Sequence, residues 1–219
     1  VEADIVNVSW WGKGVQRGMR WSDRSVDHWA RHCVRLIVAA AGNQEDCGLY
    51  LCSPAKGWNV LSVGAYDDVN NPNWSDDAMA SFSSYINPST SQDREKPEIV
   101  APGVQITGIA RYANLYTSSG TSFAAPQVAG LAALLIDRHQ NLAPWPEAIR
   151  AIIMASSVHN IEGPAGIPTG QDLKDGAGGI DAALADLTAK TRWTSATSPC
   201  TDPCWWGIDI DNSSFPVGT

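Results

Sequence analysis

The run Ser118-Ser119-Gly120-Thr121-Ser122-Phe123-Ala124-Ala125-Pro126-Gln127-Val128-Ala129-Gly130 constrains this chain more than any other stretch. It opens a helix expected from Ser122 to about His139, in which Ala124, Ala125, Ala129, Gly130, Ala132 and Ala133 keep the side chains small. Neighbouring elements can approach such a helix closely, so it belongs in the middle of a core. Its first turn presents a hydroxyl where unpaired backbone N–H groups and the helix dipole favour negative charge. Gly120 lets the backbone come close to a neighbour, and Thr121 is expected to cap the helix.

Around this helix, short β-rich runs alternate with helical patterns, the signature of a parallel α/β sheet. Strands are expected at Ile5 to Trp10, Leu36 to Ala41, Val60 to Ala65 and Ile99 to Ala101, the last running into a Pro102-Gly103 turn. Ser22 or Asp23 is positioned to cap a helix carrying Val26, Trp29, Ala30 and Cys33 on one side. Pro144-Trp145-Pro146 opens a further helix from Glu147 to about Ser156, with proline where a missing donor matters least. A last helix is expected over Ile180 to Leu187. From Thr188 the texture changes to Thr, Ser, Pro, Cys and paired Trp, then to an alternating Ile208-Asp209-Ile210-Asp211.

With 44% hydrophobic content, 219 residues suffice for one large domain or one with a small appendage. Fifteen basic against twenty-three acidic residues give a net charge of −8, which argues against nucleic acid as a partner. No apolar run is long enough to span a membrane. Cys47 and Cys52 lie in one loop-like stretch and Cys200 and Cys204 in another; two short-loop disulfides in an oxidising compartment are expected, reduced structural thiols being the alternative. Cys33 is left over, as a buried small residue or the partner of a cysteine elsewhere. Neither pair has the spacing of a zinc site. The chain opens on Val1-Glu2-Ala3-Asp4, straight into an apolar strand, and reads as a mature or cut piece of something longer.

The Ser118–Gly130 run resembles the nucleophile motif of the subtilase family, written Gly-Thr-Ser-Met-Ala-x-Pro-His-Val-Ala-Gly. Other segments match in order: Val6-Asn7-Val8-Ser9-Trp10 resembles the strand lining the substrate groove, and Val38-Ala39-Ala40-Ala41-Gly42-Asn43 the oxyanion-asparagine motif. Ala80 to Ser84 and Lys96 to Gly103 resemble the two blocks ahead of the serine, and Gly176 to Ala183 the final helix. The resemblance implies a three-layer α/β/α parallel sheet of the subtilisin type over residues 1–187, incomplete at its N-terminus, with a small C-terminal β appendage at 188–219. It implies a secreted or extracytoplasmic serine endopeptidase acting on proteins or peptides. Ser122 would be the nucleophile and Asn43 would donate its side-chain amide to the oxyanion beside the Ser122 N–H. Ser9, Trp10, Trp11 and Gly12 would flank the groove on one side, and Ala40, Ala41 and Gly42 on the other. Phe123 stands in place of the usual methionine, Gln127 in place of a histidine, and Trp11 where a small residue is common. Members often bind calcium, for which Asp67, Asp68, Asn70, Asp76 and Asp77 are candidate ligands, solvated acidic loops being the alternative. No other cofactor or metal is expected.

The family's aspartate and histidine motifs lie upstream of the strand that begins here at Ile5, so the base is missing. His139 lies on the same helix as Ser122 but about 25 Å along it. His32 should sit at the far edge of the sheet from the site, because its helix runs away from the carboxyl edge. The i, i+4 pair His28 and His32, beside Asp27 and Cys33, resembles a metal cluster only superficially, and nothing near His159 recommends it. Three readings follow: part of a protease whose remaining segment carries Asp and His, a non-catalytic peptide-binding scaffold, or a hydrolase of another kind using a different base.

Overall fold

A computed structural model describes residues 3–12, 18–86, 96–158, 161 and 174–192. Four strands run parallel: β1 (Ile5–Val8) pairs with β2 (Leu36–Ala40), β2 with β3 (Val60–Asp67), and β3 with Ile99–Pro102. The short strand Ala78–Met79 adds antiparallel to the end of β3. In chain order these last two are β4 (Ala78–Met79) and β5 (Ile99–Pro102). All five residues of β2 are buried, as expected of a strand covered on both faces.

Helix α1 (Trp21–Cys33) covers one face, where Ala30 meets Val8, Ile37, Ala39 and Val60. The other face carries the main core. There Val38, Ala40, Leu61, Val63 and Ala101 meet Ala124, Val128 and Leu135 of α3 (Thr121–Arg138), Ile149 and Ile153 of α4 (Pro146–Ala155), and Ala185 and Ala189 of α5 (Ala182–Arg192). The remaining helix, α2 (Gln44–Cys47), is a single turn after β2. This is a three-layer α/β/α arrangement, and its carboxyl edge, where open parallel sheets bind ligands, is where α3 begins.

Four points of the sequence reading need correction. Helix α1 starts at Trp21, not after Ser22 or Asp23. Asp23 sits in its first turn and its carboxylate accepts the Arg20 N–H at 2.6 Å. Its buried stripe passes through Asp23 and Ala30, while Trp29 is 55% exposed and Cys33 is exposed as a free thiol. The cause is polar: buried Asp23 also accepts from Ser53 Oγ at 2.7 Å and lies 3.7 Å from the Lys56 ammonium, which turns the helix by that contact. Third, a hairpin not foreseen, β6 (Ile106–Ile109) with β7 (Leu115–Ser118), leads directly into α3. Helix α5 runs on to Arg192, past residue 187. The expected β appendage beyond it, the Cys200–Cys204 pair and His159 lie outside the described residues.

Candidate active site

Helix α3 begins where the chain leaves the hairpin and meets the sheet. Gly120 adopts φ +156° and ψ 156°, a conformation open essentially to glycine, and its N–H donates to Gly103 O at 2.8 Å. Thr121 is not the cap that its position suggested; Gly120 is, and Thr121 is fully buried in the first turn. Its hydroxyl accepts the Gly42 N–H at 3.1 Å and donates to Asn43 Oδ1 at 3.1 Å, while its own N–H donates to the same oxygen at 3.2 Å. A backbone N–H can only donate, so this contact settles which end of the Asn43 amide is oxygen. The Nδ2 end therefore faces the other way.

That end lies beside Ser122. A Cβ placed on Gly120 would lie 3.2 Å from Ser122 Oγ and 3.4 Å from Asn43 Nδ2, so both atoms border one small volume. The half-buried Ser122 is held by a second contact. Pro126 has no N–H, which leaves the Ser122 carbonyl without its intrahelical partner, and Ser9 Oγ donates to it at 3.0 Å. Gln127 ties the same turn to the sheet, donating through Nε2 to Pro102 O at 2.6 Å and Phe123 O at 3.0 Å. A hydroxyl here has an amide donor and helix N-terminal N–H groups around it, the donors a developing oxyanion needs.

The other expected site residues fall on two segments that diverge from the sheet. Ala40, Ala41 and Gly42 are buried on one. On the other, Ser9 faces Ser122, Trp10 is 64% exposed, Trp11 is half-buried against the main core, and the Gly12 N–H donates to Ser53 O at 3.2 Å. Cys47 and Cys52 form a buried disulfide behind Gly42. Sequence reasoning missed the lock by Thr121 and the partner of Trp11: its Nε1–H donates to Asp46 Oδ2 at 2.9 Å. The adjacency of Thr121 to Ser122 was a signal for the first; nothing in the sequence pointed to the second.

The described histidines lie elsewhere. His28 and His32 are exposed on α1, on the opposite face of the sheet from α3, with ring centroids 3.9 Å apart. His139 follows the far end of α3 and its Nε2 lies 2.9 Å from Asp186 Oδ1. In the acidic loop the carboxylates make local hydrogen bonds. Asp67 and Asp68 accept the N–H groups of Val69 and Asn70, Asp76 accepts from the Asn71 side chain, and among the described residues no three acidic, His or Cys groups converge to hold a metal. Asp77 is buried there, and burial, then the charges of Asp68, Asp76 and Asp67, push its carboxyl above the ordinary range.

A family model described as Subtilase family matches residues 2–183. Serine protease AprX of Bacillus subtilis (strain 168) is 35% identical over 159 residues, covering 64% of this chain and 35% of that protein. Subtilisin DY of Bacillus licheniformis is 34% identical over 142 residues, covering 64% of this chain and 44% of that protein. The chain thus spans less than half the length of either relative. Among solved structures, patellamide maturation protease PatA aligns with a TM-score of 0.66 at 29% identity, covering 86% of this chain and 64% of that one. Prenylagaramide maturation protease PagA aligns with a TM-score of 0.65 at 27% identity, covering 86% and 62%. By the extent of these matches the chain belongs to the subtilase family.

Proposed function

We propose that this chain carries the nucleophile half of a subtilisin-like serine endopeptidase. Ser122 Oγ attacks a peptide carbonyl while a base takes its proton; the amine leaves with a proton, and water releases the acyl group from Ser122. The Asn43 amide and the Ser122 N–H hold the oxyanion. Substrate lies as an added strand between Ser9–Gly12 and Ala40–Gly42. The observation that carries this reading is the shared border of Ser122 Oγ and Asn43 Nδ2 at Gly120. The buried Cys47–Cys52 disulfide agrees with an extracytoplasmic setting. The net charge of −8 speaks against polyanions, and no described helix is long and apolar enough to cross a membrane.

Among the described residues no histidine stands near Ser122. We therefore propose that the active form joins this chain to a segment bearing the family's aspartate and histidine. The same observation supports the second reading, a non-catalytic peptide-binding scaffold. Casein hydrolysis separates them. The chain alone should cleave at little above background, since loss of the base lowers turnover about 10⁶-fold in subtilisin. Supplying the aspartate and histidine segments of the precursor, in cis or in trans, should restore cleavage, and Ser122→Ala should abolish it. A joined protein that folds yet stays inert would leave the scaffold reading in possession.

A further inference from the structure

Strands β1 and β2 are hydrogen-bonded partners as far as Val8 and Ala39. Beyond that point they part. The continuation of β1 is bonded to Ser53 through the Gly12 N–H, whereas Ala41 continues the β2–β3 ladder, donating to Val63 O at 2.9 Å. At the carboxyl edge, near the Ser9–Ser122 contact, the two segments are therefore not paired with each other, and the gap between them is bridged by Cys52 and Ser53. Cys52 closes it on the Ala41 side: its N–H donates to Ala41 O at 2.8 Å, and its Sγ occupies the space that a Cβ on Gly42 would take. The disulfide to Cys47 fixes that side to α2.

Side chains alternate along the segment that forms one wall. Ser9 and Trp11 share the face towards α3, Ser9 reaching the Ser122 carbonyl, while Trp10 points out to solvent. The Trp11 indole packs against the core cluster that contains Ala40 and Ala124, and its Nε1–H is bonded to Asp46 on α2, which belongs to the opposite wall. The ring is thus held by the core on one side and by α2 through Asp46 on the other. An indole is the largest side chain, so little room is left beneath a bound backbone.

We propose that Trp11, strapped to Asp46, determines specificity in this groove by filling the gap that would receive the side chain on the acyl side of the scissile bond, restricting that position to glycine, alanine or serine. This inference rests on the endopeptidase reading, because only a strand that is cleaved has an acyl side.

The test is binding, which needs no base. Two fluorescently labelled hexapeptides, identical except for a C-terminal alanine or phenylalanine with a free carboxylate, are titrated with the 219-residue chain and followed by anisotropy. The alanine peptide should bind about tenfold or more tighter. Trp11→Gly should lower that ratio about tenfold or more, towards or past unity. Asp46→Ala, which keeps the ring and removes its anchor, should lower it by a smaller factor, and thermal melts show that each variant is folded. Equal affinity of the parent chain for both peptides, or a ratio unchanged in both folded variants, overturns the inference and leaves the endopeptidase reading standing. Binding of neither peptide by the parent chain or by Trp11→Gly overturns the inference, while the endopeptidase reading is decided by casein cleavage in the joined protein.

Discussion

Replacing Thr121 with valine tests the joint between helix and sheet, because the two side chains are nearly the same shape and only the hydroxyl is lost. Thr121 is fully buried, so no water replaces it. The change removes the acceptor for the Gly42 N–H and one of the two donors to Asn43 Oδ1. A buried N–H left without a partner costs about 1–3 kcal/mol, and the lost bond to Asn43 about 1 kcal/mol more. The sum is about 2–4 kcal/mol. Thr121→Ser, which keeps the hydroxyl and removes a methyl, should cost only about 1 kcal/mol. In urea, with a slope of about 2 kcal/mol per molar, the valine variant should unfold about 1–2 M earlier than the parent chain and the serine variant about 0.5 M earlier. In the joined enzyme, turnover should also fall, by less than the about 10²–10³ that follows loss of an oxyanion donor outright. A valine variant at least as stable as the serine variant would refute the claim that this hydroxyl holds the helix start to the strand end.

Two buried carboxylates should respond to pH in opposite senses. Burial alone would raise the pKa of Glu98, but Lys96 and Arg150, with the hydroxyl of Ser62, outweigh it and hold the carboxyl below its usual value. Its contribution is therefore present above the unfolded-state value and lost as pH falls through the lower folded one. Glu98→Gln should cost about 3–5 kcal/mol near neutrality, by leaving Lys96 buried with its charge uncompensated, and should flatten the loss of stability in acid when urea melts are compared from pH 7 downward. Asp77 is the reverse case: its raised folded value means that the charged form strains the fold, so the parent chain gains stability as pH falls through that value. Asp77→Asn should raise the melting temperature at pH 7, with the advantage shrinking as pH approaches the ordinary carboxylate range; an unchanged melting temperature at pH 7 would contradict this.

The elements legible in the sequence were those whose determinants are local and apolar. Leu36 to Ala40 is an unbroken apolar run and is buried on both faces, so its strand was visible without a partner in view. The start of α3 was read one residue late, at Ser122 with Thr121 as cap, and the strand end ahead of Gly42-Asn43 was readable; the resemblance then paired the two regions across 79 residues. What could not be read depends on contacts whose sign runs against pattern. The face of α1 was misjudged because a charged residue, Asp23, is buried while Trp29 and Cys33 are exposed. The β6–β7 hairpin was missed because its strands are mostly exposed, with Ile109 and Leu115 about as exposed as any polar residue, and its turn puts Tyr112 and Ala113 at positive φ without glycine. Trp11 stood out as unusual, but its meaning lies in Asp46, 35 residues away.

These two classes of contact divide the site in a way that bears on how it works. Among the described residues, Thr121, Ser9 and the backbone of Gly42 make the hydrogen bonds that aim Asn43 and Ser122. Under the proposed function these donors are held in place ahead of substrate, and preorganised donors lower the barrier without reorganising during the reaction. The base, by contrast, comes from the joined segment under that function and must reach the Ser122 hydroxyl, which is half-buried. Under the proposed function, joining such a segment should raise turnover while leaving the affinity for product-like peptides nearly unchanged, since the groove walls and the oxyanion donors are already in place. A joined enzyme that bound these peptides far more tightly than the chain alone would mean that the segment builds the groove as well as the base, and that the preorganisation argued from Thr121 and Ser9 is incomplete.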